Sequence, residues 1–211
     1  MIQTYSVREP EAQSAIPLVF DSPHSGIQFP PDFSCCASIE QLKTGWDAFV
    51  DKLWEGAVLH GAVLQSAHYS RMFIDLNRAS DDIDPVLLAS PSSECKPTRY
   101  SERGMGLIRR FALPGVALYA QPLEMDEIKM RVRDYYLPYH NALSDRLNNL
   151  HERFGEVWHV DCHSMKSKGN KMNIDSGESR PDVILGDNDG LACDPEFVQT
   201  VEDAFTRLGY K

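Results

Sequence analysis

The stretch GEVWHVDCHSM, residues 155–165, decides how this chain is read: a short apolar run ends in Asp161, Cys162, His163 and Ser164, as a buried strand with a polar tip would. Side chains alternate along a strand, so Val157, His159, Asp161 and His163 share one face, and Trp158, Val160 and Cys162 the other. Residues 16–26, IPLVFDSPHSG, repeat the pattern, with an apolar run released into Asp21, His24 and Ser25. Two strands can then bring one histidine each to the carboxyl edge of an α/β sheet, where ligands bind. Either histidine alone reads as a hydrogen-bonded residue at a strand end. The pair points to a two-histidine metal site.

The length of 211 residues and 42% hydrophobic content suffice for a full core, and a single domain over 1–211 is expected. A net charge of -10 argues against a nucleic-acid or anionic-membrane surface, because both need clustered Lys and Arg. The five cysteines, Cys35, Cys36, Cys95, Cys162 and Cys193, contain no Cys-x-x-Cys pair, so neither a disulfide framework nor a thiolate zinc knuckle is indicated. Reduced thiols fit a cytoplasmic protein. The first residues lack an apolar signal region and no run reaches the ~20 apolar residues of a membrane helix, so a soluble chain is expected.

Residues 16–20 are predicted as the first strand, turned sharply by Pro23 and Gly26. From Trp46, the apolar residues Phe49, Val50, Leu53, Trp54, Ala57 and Val58 recur at helical spacing up to Gly61. Asp47 falls at the start of that helix, as its N-cap or as a third metal ligand. Residues 62–67 and 70–78 read as strands, and Arg71, Asp75, Asn77 and Arg78 crowd the end of the second. An Arg fork beside an amide can hold a carboxylate there; a surface ion cluster is the plainer alternative. Asp81, Asp82 and Asp84 read as a solvated turn ended by Pro85, and residues 86–115 as loops whose Arg99, Arg103, Arg109 and Arg110 offer positive charge to an anionic substrate. Residues 123–154 read as helix in two segments, because Pro138 removes an N–H, with His140 and His151 in structural or surface roles. A loop or flap over 166–180, a short strand over 183–185 and a plain turn at GDNDG, 186–190, precede a helix capped by Asp194 and started by Pro195.

FDSPHSG (20–26), GWDAFVDKL (45–53), YSRMFIDLNR (69–78), GMGLIRR (104–110), YYLPYH (135–140) and DCHSM (161–165), in this order, resemble the N-formylglutamate amidohydrolase (deformylase) family, which releases formate and glutamate at the end of a histidine-degradation route. The family is similar in plan to zinc carboxypeptidases and aspartoacylases. The resemblance implies that His24, Asp47 and His163 bind zinc, or another divalent metal, and that Asn77 with Arg78 grips a substrate carboxylate. A second cation for a dicarboxylate substrate would come from Arg71 or from an arginine among residues 99–110. The family's closing strand, with a Gln-x-Glu-x-Asn-Arg motif, has no counterpart here. The resemblance therefore implies a missing C-terminal segment and leaves the general base unassigned, with Asp161 orienting His163 and Glu102 or Glu178 as acids that a flexible loop can recruit. Slow turnover is expected without that base.

The expected architecture is a three-layer α/β/α fold with a mixed, mostly parallel sheet. The expected function is zinc-dependent cleavage of N-formyl-L-glutamate, a small-molecule substrate. Another N-acyl amino acid or small peptide as substrate, and metal or ligand binding without turnover, are the alternatives. A cysteine amidase built on Cys162 and His163 is disfavoured because adjacent strand residues point to opposite faces.

Overall fold

The computed structural model describes residues 2–211, which divide into two compact units, one ending at Ser164 and one running Met165–Lys211. The first unit is built on four strands, β1 (Tyr5–Arg8), β2 (Leu18–Ser22), β3 (Val63–Ala67) and β6 (Trp158–Asp161), in the order β1-β3-β2-β6. β2 runs parallel to both β3 and β6, and β1 lies antiparallel to β3, so the sheet is mixed and mostly parallel as expected. The register pairs Asp21 with Asp161. This pairing sets the two polar strand tips side by side.

Alternation along the strands sorts the core into two layers. On one face, Val19 and Val63 pack with Tyr5 and Val7 against Tyr139, Leu143 and Leu150 of the long helix α4 (Leu137–Phe154). On the other, Phe20, Leu64, Val160 and Cys162 pack against Val50 of the short helix α2 (Val50–Leu53) and against Trp54, Ala57 and Val58 in the 3-10 turn region after it. Each fully buried aliphatic side chain of this kind contributes about 1.5–3 kcal/mol. Phe20 stacks on Trp54 with ring centroids 4.8 Å apart. Helices thus cover both faces of the sheet. Further elements are α1 (Ile39–Lys43), the hairpin β4 (Phe111–Leu113) and β5 (Val116–Ala117), and α3 (Met125–Arg131).

The helix expected over 123–154 is α3 and α4 joined by a π-helical segment, Val132–Tyr136, just before Pro138. A missing proline N–H dislocates the hydrogen-bond ladder without ending the helix. Residues 70–78 correct the sequence expectation, being turns and bends instead of a strand. The physical cause is local: the Ser70 carbonyl accepts the N–H of Phe73 and of Ile74, the Ser70 hydroxyl accepts that of Met72, and the Asp75 carboxylate accepts that of Asn77. These bonds take the backbone away from any ladder. Asp82 and Asp84 also depart from the solvated turn expected of them: Asp82 accepts the N–H and hydroxyl of Thr98, and Asp84 caps Val86 and lies 3.2 Å from Arg110. β1 and α1 were not evident in the sequence.

In the second unit an Arg180 fork holds Asp175 at 2.6 and 2.8 Å. Helix α5 (Pro195–Arg207) begins as expected, with Asp194 accepting the Glu196 N–H at 2.8 Å. Residues 183–185 form no strand; the Val183 N–H donates to the Lys211 carbonyl instead. Among the described residues, no helix is long and apolar enough to cross a membrane.

Candidate functional site

His24 follows β2 and His163 follows β6, so the parallel pairing of these strands brings both rings to the carboxyl edge, with centroids 4.6 Å apart. Asp47 reaches the same place from the loop before α2. One ligand atom from each of His24, Asp47 and His163 lies within 4.8 Å of the others. His163 Nδ1 is 3.0 Å and His24 Nδ1 3.4 Å from Asp47 Oδ2.

The outer nitrogens of both rings are fixed by carboxylates. His24 Nε2 pairs with Asp75 Oδ1 at 2.7 Å, and His163 Nε2 with Asp161 Oδ2 at 2.9 Å. A carboxylate behind each imidazole sets its tautomer and leaves the opposite nitrogen lone pair for a cation. Buried His24 Nδ1 has no hydrogen-bond partner, the condition expected of a nitrogen reserved for a ligand. Two imidazoles and a carboxylate are a donor set that suits zinc and admits other divalent metals. The residues therefore fit a metal ion.

Electrostatics agree with that donor set. Burial opposes the charge of Asp47, but the His163 and His24 imidazoles and the charge of Arg71 hold its carboxyl well below the usual carboxylate range. Burial alone would depress the His163 imidazole; hydrogen bonds to Asp161 and Asp47 outweigh it and raise the ring to about 9. Asp75, fully buried, is held well below its ordinary range by Arg71, His24 and Arg109 despite the burial.

The arginine turn lies behind His24. Arg71 forks Asp75 Oδ2 with Nε at 3.0 Å and Nη2 at 2.7 Å, and Arg109 Nε approaches the same oxygen at 3.5 Å. Burial, followed by the neighbouring charge of Arg71 and Arg78, lowers Arg109 to about 9, with Asp75 acting in opposition. Arg78 is braced by the Met105 and Asn77 carbonyls at 3.0 and 2.6 Å, and its guanidinium lies 4.3 Å over the Tyr100 ring. The Asn77 amide comes within 2.7 Å of His163 Nε2. Of the residues singled out in the sequence, His24, Asp47, His163, Asn77 and Asp161 meet directly, and Arg71 joins them through Asp75. Glu102 sits exposed in a 3-10 turn, and Glu178 belongs to the second unit.

Sequence reasoning missed the role of Asp75 behind His24, although an Arg and an Asp four residues apart, Arg71 and Asp75, were a usable signal. It also missed Asp21, which accepts the Tyr139 hydroxyl at 2.7 Å and pairs with His159 at 2.6 Å. Cys162 is buried, and burial and nearby carboxylates push its thiol up, so it is no nucleophile for His163.

Fold and site together define an α/β protein with a His–Asp–His pocket at the carboxyl edge of a mostly parallel sheet. Comparison with known proteins narrows the class. The family profile described as N-formylglutamate amidohydrolase matches residues 16–211, and the chain belongs to that family. Relatives called N-formylglutamate deformylase include one from Pseudomonas aeruginosa, 31% identical over 191 residues, and one from Pseudomonas putida, 29% identical over 194. The alignments cover 89% and 90% of this chain but 65% and 66% of those relatives. The crystal structure of N-formylglutamate amidohydrolase from Ralstonia eutropha JMP134 superposes on all of this chain and 75% of its own, with a TM-score of 0.91 and 38% identity. A gene product of Agrobacterium tumefaciens, 18% identical with a TM-score of 0.52 over 84% of this chain and 60% of its own, shares the fold.

Proposed function

We propose that this chain is a metal-dependent amidohydrolase that cleaves N-formyl-L-glutamate to formate and L-glutamate, with zinc held by His24, Asp47 and His163. The observation that carries the proposal is the unpartnered, buried Nδ1 of His24 facing Asp47 while Asp75 occupies its other nitrogen. The family's names for its members supply the reaction. A zinc ion, when bound, supplies an acidified water with a pKa near ~7 and Lewis acidity toward the formyl oxygen.

The remaining work falls to the chain's own residues. Asp75 and Asp161 orient the two imidazoles, and Asn77, beside His163, supplies an amide to the amino-acid end of the substrate. Arg78, its Nε and one Nη tied to carbonyls and its face on Tyr100, presents the rest of a rigid fork to a carboxylate. Arg71 and Arg109 gather positive charge around the single carboxylate of Asp75, and the charge of Arg78 reaches Arg109, an arrangement suited to a substrate with two carboxylates. Arg71 or Arg109 is the second cation that such a substrate calls for.

Zinc content after equilibrium dialysis, measured beside formate release, tests the assignment. One zinc per chain is expected, with His24→Ala and His163→Ala each losing it. Full zinc in both variants overturns the metal assignment. Faster hydrolysis of an N-acetyl amino acid or a small peptide than of N-formylglutamate overturns the substrate.

A further inference from the structure

Two loops carry the inner half of the site, and backbone and side-chain bonds knit them together around the ligands. The Asp47 N–H donates to the His24 carbonyl at 3.1 Å, and the Trp46 indole N–H donates to the Ser25 carbonyl at 2.9 Å. The third bond is a helix cap delivered from a distant part of the chain. The Asp51 N–H, in the first turn of α2, donates to Ser25 Oγ at 3.1 Å, and Ser25 Oγ also bonds Ser22 Oγ at the buried end of β2.

This arrangement departs from what local sequence provides. An Asp just ahead of a helix ordinarily spends its carboxylate on the first free N–H groups. Here the residue before α2 is Phe49, which makes no side-chain cap and sits at φ 62, in the left-handed region that bulky residues avoid. Such a conformation persists only where its surroundings over-determine it. The Asp47 carboxylate instead faces His24 and His163. Ser25, and not Asp47, accepts the Asp51 N–H.

We infer that Ser25 is a positioning residue for the metal: its hydroxyl caps α2 from the His24 loop and thereby leaves the Asp47 carboxylate free to act as a ligand. The inference rests on the metal assignment proposed above. In a variant without that hydroxyl, the Asp51 N–H competes for Asp47, which turns away from the two histidines.

The test is the zinc dissociation constant of the whole metal-free chain, measured by competition with a chromophoric chelator, with far-UV circular dichroism and Tm recorded on the metal-free proteins. Ser25→Ala is expected to weaken zinc binding about 10-fold, the scale on which residues behind metal ligands act. Ser25→Thr, which keeps the hydroxyl, restores affinity. Trp46→Phe, which removes the indole donor but keeps an aromatic ring, weakens binding by a smaller factor. A folded Ser25→Ala with wild-type affinity overturns the inference, as does a Ser25→Thr as weak as Ser25→Ala. Should Ser25→Ala not fold, Trp46→Phe decides, and unchanged affinity there overturns it. His24→Ala and His163→Ala separate the two levels. If both keep zinc, the metal assignment has failed; if both lose it while Ser25→Ala binds normally, only the role of Ser25 has failed.

Discussion

The tips of β2 and β6 carry nearly the same words, Asp-Ser-Pro-His-Ser and Asp-Cys-His-Ser, yet they build the two sides of the site differently. At the β2 tip His24 is 1% exposed and backed by the fully buried Asp75, whose other oxygen receives Arg71 and lies 3.5 Å from Arg109. At the β6 tip the His163 side chain is 31% exposed and is backed by Asp161, itself one-third exposed. The cause is partly spacing. Asp161 stands two residues before its histidine on the same face and bonds it; Asp21 stands three before His24 and turns to Tyr139 and His159. His24 must then borrow a carboxylate from another segment. Position in the sheet does the rest, since β2 has a strand on either side and β6 ends the strand order. Similar motifs thus give one enclosed, charge-compensated histidine and one accessible histidine.

That asymmetry is easiest to break at the two backing carboxylates. Asp75→Asn should have the largest effect, because it leaves the half-buried Arg71 and the buried Arg109 without their counter-ion; removing one partner of a buried pair costs about 3–5 kcal/mol. Urea unfolding of the metal-free protein measures it, and a loss below ~1 kcal/mol would show that water enters the cluster. Asp161→Asn, at the accessible tip, should cost less than ~1 kcal/mol of metal-free stability while weakening zinc binding by ~10- to 100-fold. Equal stability losses in the two variants would erase the distinction between the tips.

Two smaller effects sharpen the comparison. Arg78→Lys keeps the charge but loses the planar fork braced by Met105 and Asn77, so kcat/KM for N-formylglutamate should fall by roughly 10-fold, about 1.4 kcal/mol, with zinc content unchanged. Steady-state kinetics with parallel metal analysis check it. His159, on the same face as Asp161, is lowered by burial but raised on balance by its bond to Asp21 and by the two aspartate charges. A group with a raised folded pKa gives its full stabilisation below the unfolded value, about 6.5, and loses it as pH rises through the folded value. The stability gap between wild type and His159→Gln should therefore be larger at pH 5.5 than at pH 9. Its size stays under ~1 kcal/mol because the side chain is 37% exposed. A gap that grows toward pH 9 would contradict the charged His159–Asp21 pair.

The amino-acid sequence by itself determined the two parallel strands with histidines at their ends, the alternation that sends Val160 and Cys162 to one layer and His159 and Asp161 to the other, and the helix start at Asp194. These follow from period-two patterning and cap chemistry, which are local. It also placed Asp47 at a helix start, where the cap is the commoner role and the metal ligand the sharper one. Only tertiary structure shows that the Asp51 N–H is met by Ser25 and that the Asp47 carboxylate faces the two histidines, because Ser25 lies in a loop that sequence distance hides. The same reason governs residues 70–78, where apolar Met72, Phe73 and Ile74 suggested a strand, but Ser70 and Asp75 bent the backbone into turns and sent the Asp75 carboxylate to His24. Burial was equally beyond local pattern. Asp75, Asp82, Asp84 and Arg109 are charged residues in loops, and what took them out of solvent was the arrangement of partners from distant segments, which no periodicity records.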